Sequence, residues 1–183
     1  MKTLIAALAV LTFSSFAEAR ELAGVKLDET INVQGKDLKL NGAGIRKKAI
    51  FKVYVGALYV ENISKDGAAL LASDQTMRVK EVFVRNVDKG KITDAFSEEL
   101  KKAAGGAYDK FKDRIDKLMA AIPDLKDGDD MVFTYVPGKG TTFGIKDVDQ
   151  VTIEGKDFQQ LLFGLWLGPN PGDRGLADAM LSK

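Results

Sequence analysis

The sequence predicts an α+β domain in which helices pack on a mainly antiparallel sheet. Segments rich in β-branched and aromatic residues lie before residue 87 and again between residues 131 and 155. Segments with apolar residues at helical spacing lie between these two groups and after the second one. Strands and helices therefore come in blocks and do not alternate, an order that is typical of the α+β class. The length of 183 residues fits a leader followed by one domain.

The first 19 residues have the parts of a secretory signal peptide. Lys2 supplies a positive charge, residues 4–16 form an apolar stretch too short to span a membrane, and Ala17-Glu18-Ala19 fits the small-x-small cleavage rule. The alternative is a buried N-terminal helix. We predict a signal peptide at residues 1–19, a mature domain at residues 20–183, and export to the periplasm, or secretion where there is no outer membrane. No later apolar run reaches the length of a membrane span, so we expect no integral membrane segment after cleavage.

The composition excludes several classes of function. The chain has 27 Lys and Arg against 26 Asp and Glu, a net charge of +1, which argues against binding by phosphate neutralisation and therefore against a nucleic-acid partner. It contains no cysteine and no histidine, so disulfides, Cys/His metal sites and His-dependent catalytic triads are excluded. Acid–base chemistry near neutral pH would need a carboxylate, Lys or Tyr with a strongly shifted pKa.

The first block of the chain predicts four strands and one short helix. The strand at residues 49–61 has apolar residues at both odd and even positions, which indicates a central strand covered on both faces. The predicted strands are residues 30–34, 36–46, 49–61 and 76–86, and the predicted helix is residues 66–73.

The second block predicts two helices, a meander of three strands and two closing helices. Gly105-Gly106 separates the first two helices, and Pro123 ends the second. The helices are residues 92–103, 108–122, 158–167 and 176–181, and the strands are residues 131–137, 141–146 and 150–155.

Two loops and one aromatic residue each allow both a chemical and a structural interpretation. Residues 124–130 are acidic enough for calcium but lack the ligand spacing and closing Glu of an EF-hand loop, which favours a solvated turn. Residues 137–142 contain Pro-Gly-Lys-Gly, but strands flank them and the Walker spacing is absent, which favours a hairpin turn. Trp166 lies in an apolar helix and is either a core residue or part of a pocket wall. We expect no metal and no other cofactor.

A glycine-rich stretch carries the candidate site. Glycine is unusual in strands because it offers no side chain to pack. If the chain continues straight, Arg46 and Tyr54 lie about 26 Å apart, at about 3.3 Å per residue. If it turns near residues 48–51, they face each other beside a hollow left by the glycines. Residues 47–51 contain no Gly, Pro, Asn or Asp, so the residues alone favour a surface Arg and a core Tyr. The residues of this stretch that share one parity are Gly42, Gly44, Arg46, Tyr54, Gly56 and Leu58.

Residues 42–46 (GAGIR) followed by residues 52–59 (KVYVGALY) resemble the signature of the chalcone isomerase fold family. The chain is most similar to the exported bacterial chalcone-isomerase-like branch. Residues 91–100 and 158–168 also fit, and the resemblance extends over nearly all of residues 25–181. It implies an open-faced β-sandwich, in which a large antiparallel sheet carries helices on one layer, in agreement with the α+β prediction.

The resemblance also implies which positions would line a pocket. The plant enzymes of the family close a chalcone to a flavanone and hold the substrate with an Arg, a Thr, a Tyr, an Asn and a Ser or Thr. Of these residues the chain keeps only the Arg, as Arg46, and the Thr position holds Tyr54. The remaining three positions hold the apolar residues Phe96, Ala103 and Leu165. The missing polar groups argue against chalcone cyclisation, since removing one charge-stabilising donor typically costs ~10²–10³ in rate.

Plastid fatty-acid-binding proteins belong to the same family. In those proteins an Arg and a Tyr on paired strands hold the fatty-acid carboxylate, and the tail lies between sheet and helices. Arg46 and Tyr54 resemble that pair, so we predict an exported, monomeric protein that binds a fatty acid or similar apolar carboxylate without a cofactor. One alternative is an isomerase or intramolecular lyase of unknown substrate with Arg46 at its centre, and another is a structural protein with a filled core. The predicted pocket lining is Gly42, Gly44, Gly56, Phe96, Ala103 and Leu165.

Overall fold

The structure, a computed structural model, describes residues 20–183; the predicted signal peptide lies outside the described residues. Within that range there are nine strands and five α-helices. The strands, β1 to β9 in chain order, are Arg20–Leu22, Val25–Leu27, Thr30–Val33, Lys36–Lys48, Phe51–Val60, Met77–Phe83, Asp130–Val136, Gly140–Ile145 and Val148–Ile153. The helices, α1 to α5, are Gly67–Ala72, Lys89–Ala104, Tyr108–Ala121, Lys156–Leu167 and Arg174–Met180.

The strands form one large sheet and one small one. Strands β3 to β9 pair in chain order, each antiparallel to the next, and the sheet curls like a half-barrel. Strands β1 and β2 form a separate two-stranded sheet. The predicted α+β class and antiparallel sheet are therefore confirmed. No helix within residues 20–183 has both the length and the apolar character needed to cross a membrane.

One face of the large sheet is covered by the helices, and the other face is covered at its β3–β5 end. On one face, helices α1 to α5 and the sheet share a single apolar core. On the other face, β1 and β2 pack over β4 and β5 in a second, smaller core. Residues 55–60 are all buried, which confirms the prediction of a central strand covered on both sides. The strands β1 and β2 were not predicted, because three residues are too few to show an alternating pattern.

A β-bulge at Asn41 changes which residues of β4 face the helices. The pairing with β5 shifts between Leu40 and Gly42, so that one extra residue lies in β4. Leu40 and Ala43 consequently both contribute to the smaller core, although their parities differ. The Asn41 side chain is buried and donates hydrogen bonds of 2.9 Å to the carbonyl oxygens of Ser64 and Met180. These bonds connect β4 to the segment before α1 and to the last residue of α5.

Helix α5 lies directly on the glycines of β4 and β5. A Cβ at Gly42 would stand 2.3 Å from the Ala179 carbonyl oxygen, and one at Gly44 would stand 2.6 Å from the Ala179 side chain. A Cβ at Gly56 would meet the Met180 side chain at 2.6 Å. The glycines therefore permit the close approach of a helix and do not leave a hollow.

The chain does turn between β4 and β5, at Ala49 and Ile50. Ala49 has a φ of 54°, in the left-handed region that non-glycine residues rarely adopt. That conformation costs about 1–2 kcal/mol for an L-residue, and the long β4–β5 ladder outweighs it. The absence of turn-favouring residues was therefore a misleading signal.

The two loops with alternative chemical interpretations have ordinary structural roles. Residues 137–139 connect β7 and β8 as the predicted hairpin turn. In the acidic segment, the carboxylate of Asp129 pairs with Lys146 at 2.7 Å, and that of Asp130 pairs with Lys80 at 2.9 Å. No group of three or more potential metal-ligating side chains occurs in the described part of the chain.

Candidate functional site

A cavity of about 320 Å³ lies between the sheet and the helical layer. Its walls come from β4, β5 and β6 on one side, and from α2, α4 and the start of α5 on the other. The volume falls at the lower end of the range of small-molecule sites, about 300–1,000 Å³. The lining includes Arg46, Tyr54, Glu81, Phe96, Glu99 and Trp166.

Arg46 and Tyr54 lie directly opposite each other on β4 and β5, and both line the cavity. Their predicted juxtaposition across a hairpin is therefore confirmed. The pairing between β4 and β5 has a second irregularity next to Arg46 and Tyr54, because the next paired residues are Lys47 and Lys52. Val53 is the extra residue of this bulge, and it lines the cavity beside Tyr54 although strand neighbours normally point to opposite faces.

The predicted lining is partly correct. Phe96 and Leu165 line the cavity, as does Trp166, which corresponds to the pocket-wall alternative. Ala103 is exposed near the end of α2 and is not part of the lining, because it lies about two turns beyond Phe96. The predicted lining residues Gly42, Gly44 and Gly56 lie under α5, as described above, and do not line the cavity either.

The Arg46 guanidinium is already paired with carboxylates. Its Nη1 donates a hydrogen bond of 2.8 Å to Asp173 Oδ2, and its Nη2 lies 3.8 Å from Glu99 Oε1. Burial disfavours the charged form of Asp173, but the Leu176 N–H and the guanidinium outweigh it and hold the pKa of Asp173 below its usual value. Asp173 also caps α5, since its Oδ1 accepts a hydrogen bond from Leu176.

Glu81 is a fully buried carboxyl group in the cavity wall. Its Oε1 accepts a hydrogen bond of 3.1 Å from Trp166 Nε1, and its Oε2 has no hydrogen-bond partner among residues 20–183. Burial raises the pKa of Glu81 to about 7, although the neighbouring Tyr54 hydroxyl and Trp166 indole act in the opposite direction. The neutral form of the Glu81 carboxyl group is therefore accessible near neutral pH.

Two further groups near Arg46 have raised pKa values. Burial, together with the adjacent Glu81 carboxyl, raises the pKa of the Tyr54 phenol well above its usual value. The phenol thus stays protonated and can donate a hydrogen bond to a ligand. Burial also raises the pKa of Glu99, against the attraction of Arg46.

Sequence reasoning missed Glu81, although a signal was present. Glu81 shares its parity in β6 with Met77, Val79 and Phe83, all of which are buried. A lone carboxylate in the apolar parity of a strand indicates a buried ionisable group, which is rare unless it has a partner or a function. Asp173 carried only the weaker signal of a residue type that caps helices.

The rest of the cavity lining is largely apolar and aromatic. The Phe96 ring lies 5.7 Å from the Phe133 ring and 6.1 Å from the Trp166 ring, measured between centroids. Ile92, Leu165 and other apolar side chains complete this part of the lining. The cavity thus combines a polar end that can hold oxygen atoms with an apolar end that can bury hydrocarbon.

Comparison with known proteins places the fold. A family model described as chalcone isomerase-like matches residues 19–182. Among solved structures, the chain is similar to a fatty-acid binding protein of Arabidopsis thaliana, with a TM-score of 0.72 at 16% sequence identity. That match covers 90% of this chain and 96% of the plant protein. No curated protein matches the chain by sequence.

Proposed function

Because the chain belongs to the chalcone isomerase-like family, we propose that it binds a fatty acid or a similar apolar carboxylate. The head group would lie at Arg46 and Tyr54, and the tail against Phe96, Leu165 and Trp166. The observation that carries this proposal is the cavity itself, which joins a guanidinium and a protonated phenol to an aromatic, apolar wall. The similar fold of a plant fatty-acid binding protein supports ligand binding at the level of the family.

The ion pair with Asp173 defines how a ligand carboxylate would reach Arg46. A guanidinium has five N–H donors, and one of them bonds Asp173. A ligand can therefore share Arg46 or displace Asp173, but either way a second anion enters beside an existing one. Asp173 thus competes with the ligand, and it weakens binding relative to an unpaired Arg46.

Variants of Arg46 and Tyr54 test the head-group contact. Arg46→Ala should weaken fatty-acid binding about tenfold to a hundredfold, because a charge-assisted hydrogen bond contributes about 1.5–3 kcal/mol. Arg46→Lys should recover part of the loss, since an ammonium cannot make two parallel bonds to a carboxylate. Tyr54→Phe should reduce the affinity less than Arg46→Ala does, because it removes only one neutral hydrogen-bond donor. Titration of a fluorescent fatty acid measures the ranking, and equal affinities of wild type and Arg46→Ala would contradict the proposal.

Asp173→Asn is the matched control, because it changes the partner of Arg46 and keeps Arg46 itself. Asparagine also caps helices well, so α5 should remain intact. The variant removes the competing charge and should bind the fatty acid more tightly than wild type, by up to about tenfold. Weaker binding by Asp173→Asn would mean that Asp173 supports the site and does not compete with the ligand.

The buried Glu81 favours a second candidate function, an isomerase or intramolecular lyase. A cavity carboxyl group with a pKa of about 7 suits general acid–base catalysis at neutral pH, and Arg46 could stabilise an enolate oxygen. Native mass spectrometry of the purified protein separates the candidates. A co-purified acid of unchanged mass supports binding, whereas turnover of an added unsaturated or phenolic acid supports the enzyme.

We also propose that the protein acts outside the cytoplasm, after removal of residues 1–19. The basis is the signal-peptide pattern of the sequence. Cell fractionation followed by N-terminal sequencing tests it. A mature chain that begins at Arg20 in the periplasmic or secreted fraction is the expected result, and an uncleaved chain in the cytosol would refute it.

A further inference from the structure

Glu81 is a buried cavity residue whose contacts satisfy only part of its carboxyl group: Oε1 accepts a hydrogen bond from Trp166, and the Tyr54 hydroxyl lies nearby. Its side chain is fully buried, and Oε2 has no partner within the described residues. An unpartnered buried polar atom costs about 1–3 kcal/mol, so a carboxyl group is an expensive choice at a position where β6 otherwise presents apolar side chains. A ligand that bonds Oε2 would account for the residue.

The surrounding charges determine which form of Glu81 can meet a carboxylate. Arg46 is the cation whose charge acts on Glu81, and Asp173 and Glu99 already share that cation. The other facing groups are the Tyr54 phenol and the Trp166 indole, both neutral. An ionised Glu81 beside a bound carboxylate would repel it, and two carboxyl groups in one site normally share a proton.

We propose that Glu81 is a second head-group contact of the cavity: in the complex its carboxyl group is protonated and donates a hydrogen bond from Oε2 to the bound carboxylate. The ligand anion then enters together with one proton. This inference rests on the proposed function, since it concerns the same cavity and ligand class. The raised pKa of free Glu81 supports it, because the group already accepts a proton near neutral pH.

Calorimetric titration with dodecanoate tests the proposal. Repeating it at pH 8 in two buffers of different ionisation enthalpy counts the protons taken up on binding. Wild type should take up about one proton per ligand, and its affinity should fall about tenfold per pH unit above the pKa of Glu81. In Glu81→Gln the amide mimics the neutral acid, so proton uptake should be close to zero and the affinity independent of pH.

Two further measurements identify the proton acceptor. Glu99→Gln removes the other cavity carboxyl with a raised pKa, and a loss of proton uptake in this variant but not in Glu81→Gln would assign the proton to Glu99 and overturn the proposal. Proton uptake that persists in Glu81→Gln would mean that Glu99 or the ligand itself takes up the proton, and it would overturn the proposal. Binding by wild type without proton uptake would overturn it as well, while leaving the proposed function intact. An absence of binding by wild type would contradict the proposed function and this inference together.

A different observation concerns the tip of the β4–β5 hairpin, residues 47–52. Ile50 is 87% exposed and Phe51 is 54% exposed, next to a row of lysines. Lys47 and Lys52 are direct cross-strand partners, an arrangement of like charges that destabilises a hairpin. No residue of the tip forms an ion pair within residues 20–183, and the tip contains no acidic residue.

The tip contributes to the wall of the cavity. Lys48 and Phe51 contribute to the lining, and the exposed Arg85 lies over the Phe51 ring at 4.7 Å from its centroid. The hairpin therefore presents two large exposed apolar side chains surrounded by cations, next to the cavity. This combination matches an anionic lipid surface, in which apolar side chains enter the acyl boundary and lysines meet phosphates.

We infer that the hairpin tip docks on an anionic bilayer surface. The expected behaviour is co-sedimentation with vesicles that contain phosphatidylglycerol, little co-sedimentation with pure phosphatidylcholine vesicles, and a loss of binding as salt increases. The double variant Ile50→Ser/Phe51→Ser should bind at least about tenfold more weakly. Lys47→Glu/Lys52→Glu should abolish the preference for anionic vesicles.

Ile63→Ser is the matched control. Ile63 is 59% exposed but lies after the other end of β5, so its replacement should leave vesicle binding unchanged. Equal losses in Ile63→Ser and in the hairpin double variant would overturn the inference, as would a failure of wild type to bind anionic vesicles. The assay needs no fatty acid, so its result is independent of the proposed ligand.

Discussion

Replacement of Glu81 by Gln should remove a pH dependence of stability that a single buried carboxyl group causes. The pKa of Glu81 is raised from 4.5 to about 7 in the folded protein, chiefly by burial. Between these two pH values the folded protein therefore binds more protons than the unfolded chain does, and stability falls as the pH rises. The contribution is fully present below pH 4.5 and is lost as the pH passes about 7.

The magnitude follows from the size of the shift. A rise of about 2.5 pH units, at about 1.4 kcal/mol per unit, corresponds to about 3.5 kcal/mol of unfolding free energy. About 2–3 kcal/mol of this should be lost between pH 5 and pH 8, equivalent to roughly 5–10 °C in Tm for a domain of this size. Glu81→Gln has no titrating group there and can still accept the Trp166 hydrogen bond, so it should lack this component.

The assay is urea unfolding of ligand-free wild type and Glu81→Gln at several pH values between 5 and 8, because the difference between the two curves cancels all other titrations. The gap in unfolding free energy should widen in favour of Glu81→Gln as the pH increases. Parallel curves would show that Glu81 has an ordinary pKa in the folded protein. They would thereby refute the argument that burial dominates its ionisation.

Three further predictions concern other parts of the molecule. Gly42→Ala should lower the unfolding free energy by more than about 1 kcal/mol, because its Cβ would stand 2.3 Å from a backbone oxygen of α5, whereas Gly90→Ala meets open space; equal urea midpoints would contradict this. Arg114→Ala should cost less than about 1 kcal/mol, and less still in high salt, since it removes a partly exposed bidentate pair with Asp157; a salt-independent loss in urea melts would point to packing instead. The protein should not cyclise a chalcone, because Phe96 cannot donate a hydrogen bond to the substrate, and an absorbance assay showing turnover that Arg46→Ala abolishes would disprove it.

Local patterns along the chain were enough for the elements and for part of the site. Apolar residues at both parities predicted a central strand over residues 49–61, and residues 55–60 are buried on both sides. Helical spacing located α2 and α3, because side chains three and four positions apart share one face of a helix. The family resemblance supplied the juxtaposition of Arg46 and Tyr54, which the residues of the turn alone did not favour.

The long-range contacts of the site were decided by the tertiary structure. Arg46 meets Asp173, 127 positions later in the chain, only because α5 folds back onto β4. The same helix fills the space above Gly42, Gly44 and Gly56, which the sequence had suggested as a hollow. Glu81 was visible as an irregularity in the alternation of β6, but its burial and its shifted pKa depend on the helices that cover it. The periodicity of apolar residues indicates which side of a helix or strand faces inward. It does not indicate which residues of other elements that side contacts, because those contacts depend on how distant segments of the chain pack together.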